Sequence, residues 1–264
     1  MDLRRCKMLW GPPCPGNLRG LPKRRFRMNP NSENPKVTRF WIALDVADQN
    51  LAEQWMARFP HHKHYKVGME LFYRTGPDVI KKWIEEDGLS IFLDLKLHDI
   101  PRTVAAAVSQ LDALGVSLTT IHLMGGRAMC EAAVQARTHL SLVGVSVLTS
   151  LGNDDLTMIG ISSNVADQVK RLAAIGRETG LDGIVLSGQE LIVLSPLWPE
   201  ARFVVPGIRR ASDASNDQKR IITPEQAIKH GATDLVIGRT LLKAEDPIAA
   251  YQELTKLLQG GRNS

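Results

Sequence analysis

The sequence predicts an α/β protein folded as a single closed (β/α)8 barrel of the TIM type. Three observations carry that prediction. From Thr38 onward, short apolar runs alternate with amphipathic stretches. There are eight such units, as a barrel requires. Nearly every apolar run ends on a polar residue or a glycine, at the end of the strand where a barrel carries its active groups.

The strands are expected at RFWIALDV (39–46), HYKVG (64–68), SIFLDLK (90–96), LTTIHL (118–123), LVGVSVLT (142–149), DGIVLS (182–187), RFVVPG (202–207) and DLVIG (234–238). Helical patterns fill the gaps at about 48–59, 76–87, 102–114, 126–138, 163–179, 188–197, 224–230 and 246–259. Such alternation implies a parallel sheet. A doubly wound open sheet is the competing architecture. It would have fewer strands and a Gly-rich first turn, and ALDVADQN (43–50) contains no glycine. In order, the strand ends are Asp45, Lys66, Asp94 with Lys96, His122, Thr149, Ser187, Gly207 to Arg209, and Gly238 with Arg239.

A chain of 264 residues, 44% of them hydrophobic, can bury one large core. No apolar run is long enough for a bilayer span. Residues 1–27 carry eight basic side chains against one acid, Asp2, so of the net +5 this segment holds +7 and the rest of the chain −2. The basic character therefore belongs to the tail. It lacks the apolar stretch of a secretory signal and the interleaved aromatics of a nucleic-acid arm. Residues 1–36 are expected to be a disordered basic extension, and 37–264 the barrel. Neither a membrane nor nucleic acid is an expected partner. Cys6, Cys14 and Cys130 form no metal or disulfide pattern, which suits a reducing cytoplasm.

FLDLKLHDIP (92–101) sets three charges in an apolar strand. Residues two apart on a strand point the same way, so Asp94 and Lys96 should share the barrel mouth. Asp99 lies just past the strand, before Pro101 opens a helix at a favoured early position. Lys66 ends the neighbouring strand. The expected arrangement is an alternating network of Lys66, Asp94, Lys96 and Asp99. One reading is a salt-bridge cluster that closes the barrel. The other is a preorganised catalytic site with Lys96 as proton donor; buried ion pairs contribute little stability, which favours it. Across the barrel, PGIRR (206–210) and IGRT (237–240) follow strands seven and eight, a common phosphate site. The polar RRASDASNDQKR (209–220) reads as a lid, with Gln218 able to reach over a ligand.

DLKLHDIPRT (94–103) closely resembles the signature of the orotidine 5′-phosphate decarboxylase family. ALD (43–45), KVG (66–68), VLTS (147–150), PGIR (206–209), DQKR (217–220) and VIGR (236–239) follow in that family's order. The resemblance implies a dimeric barrel that converts orotidine 5′-phosphate to UMP and CO2 without metal or organic cofactor. It implies that Asp45 and Lys66 hold ribose hydroxyls, that Asp94 presses on the substrate carboxylate, and that Lys96 stabilises and protonates the carbanion. Asp99 and Thr103 would act in the partner subunit's site, Thr149 would meet the base, and Arg209, Gln218, Gly238 and Arg239 would surround the phosphate. Val205, Leu123 and Met124 depart from the usual residues and are expected in the pocket walls.

A rival of the same superfamily is the magnesium-dependent sugar-phosphate lyase, which resembles a metal site with a carboxylate where this chain has Lys66. A non-catalytic nucleotide-binding protein with a nucleic-acid tail is a third reading. HHKHYK (61–66) looks like a metal tract, but His61, His62 and His64 precede strand two, away from the mouth, and a solvated loop is expected. His98 is expected to orient its loop, and His122 to be a core residue or a contact. The working protein is expected to begin near Met28; mass spectrometry of the natural protein should find that terminus, and an intact Met1 would overturn it.

Overall fold

The computed structural model describes residues 38–209 and 222–260. The basic extension, Gln218 and nearly all of the polar stretch 209–220 lie outside the described residues. Eight parallel strands close into a barrel in chain order: β1 (Arg39–Ala43), β2 (His64–Gly68), β3 (Ser90–Leu97), β4 (Leu118–His122), β5 (Ser141–Val145), β6 (Gly183–Val185), β7 (Arg202–Val205) and β8 (Asp234–Ile237). Closure comes from β1 lying beside β8, with Trp41 opposite Val236. All eight strands fall within a residue of, or inside, the expected segments.

The helices are α1 (Gln49–Ala57), α2 (Met69–Thr75), α3 (Pro77–Glu85), α4 (Pro101–Ala113), α5 (Gly126–Gln135), α6 (Asn153–Met158), α7 (Val165–Thr179), α8 (Gly188–Leu194), α9 (Pro224–Lys229), α10 (Arg239–Leu242) and α11 (Pro247–Gly260). Local chemistry sets their ends. Asp48 accepts from Leu51 N at 2.9 Å to cap α1, Pro101 starts α4, and Gly180 closes α7 in the left-handed conformation at φ 85°. Three helices went unanticipated: α2, α6 and α10. Each follows a strand end and is too short to show a helical period. Gly76, at φ 74°, separates α2 from α3.

Period two along the strands makes two cores. Trp41, Ala43, Phe92, Leu118, Val143, Val204 and Val236 cluster inside the barrel. Their chain neighbours, among them Ile42, Leu93, Leu142, Val205 and Leu235, pack outward with the helices. At the N-terminal end of the barrel sits a fully buried carboxylate, Asp234. Arg202 donates to it twice, at 2.6 and 3.1 Å. Trp41 Nε1 donates at 2.8 Å, Thr233 Oγ1 at 2.7 Å, and Arg39 Nε lies at 3.6 Å. Burial alone would raise the Asp234 pKa; Arg202, Arg39 and Thr233 together hold it below the usual carboxylate value.

The histidine tract differs from its expectation as a solvated loop. Only His61 is exposed. His62 is buried, stacks on Phe40 at 4.7 Å and meets Tyr65 edge-on at 5.1 Å. Its Nε2 donates to the His64 carbonyl at 2.7 Å. Burial pushes the His62 pKa down to about 4. The apolar neighbours come from β1, β2 and α11, which only the closed barrel brings together. Among the described residues no helix is long and apolar enough to cross a membrane, and no group of three or more His, Cys, Asp or Glu could hold a metal.

Replacing Asp234 with Ala should cost about 3–5 kcal/mol, because it strands the positive charge of Arg202 and Arg39. Chemical denaturation at neutral pH measures it. With a depressed folded pKa, the contribution of Asp234 is complete above about pH 4 and is lost only as pH falls through the lower folded value.

Candidate active site

The C-terminal ends of the strands surround a cavity of about 270 Å³. Its floor is the upper part of the inner core: Ala43, Phe92, Val145, Val185, Val204 and Val236. One wall carries Asp45, Lys66, Asp94 and Lys96; the opposite wall carries Gly207, Ile208, Arg209, Gly238 and Arg239, with Val147 to Thr149 between them. An apolar floor beneath convergent charges is the form expected of a small-molecule site.

The charged wall is an alternating chain. Lys66 Nζ lies 3.0 Å from Asp45 Oδ1 and 4.0 Å from Asp94 Oδ2. Lys96 Nζ donates to Asp94 Oδ2 at 2.7 Å. Lys66 is buried, Asp45 is open to the mouth, and Asp94 and Lys96 are half-buried. Burial acts to raise the Asp94 pKa, but Lys66 and Lys96, with hydrogen bonds from Lys96 and Thr120, outweigh it and hold the carboxylate below its usual value. Without either lysine the same burial would favour the neutral acid.

The expected fourth member is not part of this chain of charges. Asp99 is exposed, and its carboxylate accepts from Ile100 N at 2.6 Å instead. The strand ends at Leu97, so Asp99 lies past it, just before α4 begins at Pro101. Thr103, on the first turn of α4, is exposed as well. Neither lines the cavity. Of the other residues singled out in the sequence, Asp45, Lys66, Asp94, Lys96, Thr149, Arg209, Gly238 and Arg239 come together in this one cavity.

Val205, Leu123 and Met124 were expected in the pocket walls and are not there. Val205 and Leu123 are fully buried in the outer core, because Val205 alternates with the inward Val204. Leu123 packs over Gly144, where a Cβ would come within 2.6 Å of it. Met124 is exposed beside Gln168, whose Nε2 lies 3.7 Å from its sulfur.

The glycine and arginine wall is tied by short contacts. Gly207 has φ 75°, a conformation that suits glycine. Gly238 lies beside Asp45: a Cβ there would sit 3.4 Å from Asp45 Oδ2, an ordinary contact. Arg209 Nη1 donates to Thr240 Oγ1 at 3.2 Å, and Thr240 Oγ1 donates to the Ile208 carbonyl at 2.8 Å. His98 and His122 pair with ring centroids 5.3 Å apart, outside the cavity lining. Burial lowers the His122 pKa, aided by His98 and Lys96.

One functional neighbour escaped the sequence reading. Thr120 is buried, donates to Asp94 Oδ1 at 2.9 Å and accepts from Lys96 N at 2.8 Å. It sits mid-strand in an ordinary LTTIH run, and only its inward register could have pointed to it.

A closed parallel barrel with a charged cavity at its C-terminal mouth defines a (β/α)8-barrel enzyme. The chain belongs to the orotidine 5′-phosphate decarboxylase / HUMPS family, whose family model matches residues 38–254. It is 47% identical over 220 residues to an orotidine 5′-phosphate decarboxylase of Erythrobacter litoralis, covering 83% of this chain and 98% of the relative. It is 42% identical over 226 residues to one of Idiomarina loihiensis, covering 83% and 96%. The crystal structure of the Lactobacillus acidophilus orotidine 5′-phosphate decarboxylase superposes with TM-score 0.75 at 34% identity, covering 84% of this chain and 98% of that one.

Carbon-13 NMR of the Asp94 carboxyl should show it titrating below the usual value of about 3.9. In Lys66→Met the midpoint should rise above that value, because burial then prevails. The stabilisation from this cluster is present above the unfolded pKa and disappears as pH falls through the folded one.

Proposed function

We infer that this protein decarboxylates orotidine 5′-phosphate to UMP and CO2, the final step of pyrimidine nucleotide synthesis. The observation that carries the reading is the Asp45–Lys66–Asp94–Lys96 ion chain, set in one cavity opposite the Gly207–Arg209 and Gly238–Arg239 loops. In the proposed arrangement the substrate phosphate lies against Arg209, Arg239 and Gly238, with Gln218 beside them. Asp45 and Lys66 hold the ribose hydroxyls, and Thr149 faces the base. The pyrimidine carboxylate then lies against Asp94 and Lys96.

The bond from the ring carbon to the carboxylate breaks, CO2 leaves, and the electron pair stays on the ring carbon. Lys96 Nζ is the cation at hand. It stabilises that pair electrostatically and then donates its proton to the carbon, which yields UMP. Because the charges are fixed before substrate arrives, no reorganisation is needed as negative charge develops. Binding energy from the phosphate, remote from the reacting bond, holds the ring against Asp94. No cofactor enters this scheme.

Asp99 and Thr103 are exposed at the rim beside the exposed Ile100, which supports a homodimer in which both act in the partner's cavity. The reading places the enzyme in the cytoplasm. The sugar-phosphate lyase alternative needs a carboxylate at the end of β2. Here the Lys66 ammonium lies between Asp45 and Asp94, where it would repel a divalent cation.

Lys96→Ala should lower kcat by more than about 10³-fold with an unchanged far-ultraviolet circular dichroism spectrum. Arg239→Ala should instead raise KM, with kcat less affected. Incubating the wild type with orotidine 5′-phosphate and EDTA should yield UMP; a requirement for added metal would overturn the reading.

A further inference from the structure

β3 does not run regularly to its end. Leu93 lies opposite Thr119 and Leu97 opposite Ile121, so β3 advances four residues while β4 advances two. The surplus is a bulge, a device that re-aims side chains and is frequent beside active sites. Asp94 and Lys96 lie within it. Lys96 adopts φ 49°, the one positive φ of a residue other than glycine among the described residues. Such a conformation costs about 1–3 kcal/mol and persists only where the surroundings over-determine it.

In this bulge the Lys96 N–H takes a side-chain acceptor on the neighbouring strand, Thr120 Oγ1, at 2.8 Å. The same oxygen then donates its own hydrogen to Asp94 Oδ1 at 2.9 Å. One hydroxyl thus fixes the backbone of Lys96 and one oxygen of Asp94, while Asp94 Oδ2 accepts from Lys96 Nζ. The three groups close a ring. Thr120 is fully buried, so water does not compete for its hydroxyl. Its β-branch restricts χ1 and keeps that hydroxyl in place. Thr119, the next residue, is equally buried but donates to the Leu93 carbonyl at 2.7 Å, a purely structural bond.

We propose that Thr120 is a positioning residue for the decarboxylation: its hydroxyl holds the β3 bulge that aims Lys96 and fixes one oxygen of Asp94 beside it. The proposal rests on the activity inferred above. A valine at 120 keeps the shape but removes both bonds, leaving a buried N–H without a partner. Lys96 then loses its fixed backbone, and Asp94 loses one of the groups that hold its proton off.

The test compares Thr120→Val, Thr120→Ser and Thr119→Val with the wild type. Thr120→Val should lose about tenfold to a hundredfold in kcat with KM nearly unchanged, and the acid limb of its pH–rate profile should move to higher pH. Thr120→Ser removes only a methyl group and keeps the hydroxyl, so it should hold kcat within about threefold. Thr119→Val should leave kcat and the pH profile as they are, whatever it does to melting temperature. A folded Thr120→Val with wild-type kcat and an unmoved acid limb overturns the proposal, as does a folded Thr120→Ser as slow as a variant with no hydroxyl. If Thr120→Val does not fold, the serine variant and Thr120→Ala decide by the same comparison. Wild-type enzyme that forms no UMP refutes the inferred activity. In that event the Asp94 carboxyl titration still decides whether Thr120 holds the Asp94 carboxylate, by rising in Thr120→Val or staying put.

Discussion

Opposite charges in alternation hold the mouth of this barrel together. Lys66 is buried, and a buried ammonium is costly unless carboxylates stand beside it. Asp94 is subject to the same cost, and two lysines overcome it. Each ion makes its neighbour tolerable, so the set exists only as a set. Much of the fold around it serves this requirement. Adjacent parallel strands bring the Lys66 ammonium within 4.0 Å of Asp94, although in the register Lys66 stands opposite Phe92, and a bulge turns Lys96 back onto Asp94.

The two ends of the barrel use charge for different purposes. At the N-terminal end, Asp234 is saturated: two arginines, a tryptophan N–H and a threonine hydroxyl occupy it. Nothing there is left to meet a ligand, and the cluster closes the barrel floor below the Trp41 and Phe92 layer. At the C-terminal end, Asp45 is mostly exposed and Lys96 half-exposed, so the ions retain capacity for a partner. A saturated ion cluster at one end and an unsaturated one at the other is a division between stability and chemistry that matches the general polarity of barrels.

The same distinction explains how Lys96 can be both strained and well placed. An irregular backbone in a sheet normally loses ladder hydrogen bonds. Here a side-chain hydroxyl supplies one from the next strand, and the ion pair with Asp94 supplies a second restraint. The irregularity is therefore confined to a few residues of β3, and pairing with β4 resumes at Leu97 and Ile121.

The order of elements was written in the chain. Period-two apolar runs cannot pack as helices, and their alternation with amphipathic stretches admits few topologies, so all eight strands and the polar residues at their ends could be read directly. The charges that line the cavity were legible as well, since Asp45 and Arg239 follow apolar runs and Lys66, Asp94 and Lys96 interrupt them. Short helices after β2, β5 and β8 were invisible because a helix of one or two turns shows no period. What a side chain faces depends on partners distant in sequence, and only the folded barrel decided that. It turned Asp99 outward after the strand ended, buried His62 against α11, sent Val205 and Leu123 to the outer core, and brought Arg202 and Arg39 onto Asp234. It also set Thr120 between Asp94 and Lys96, a contact between strands whose register is shifted by a bulge that no local pattern announces.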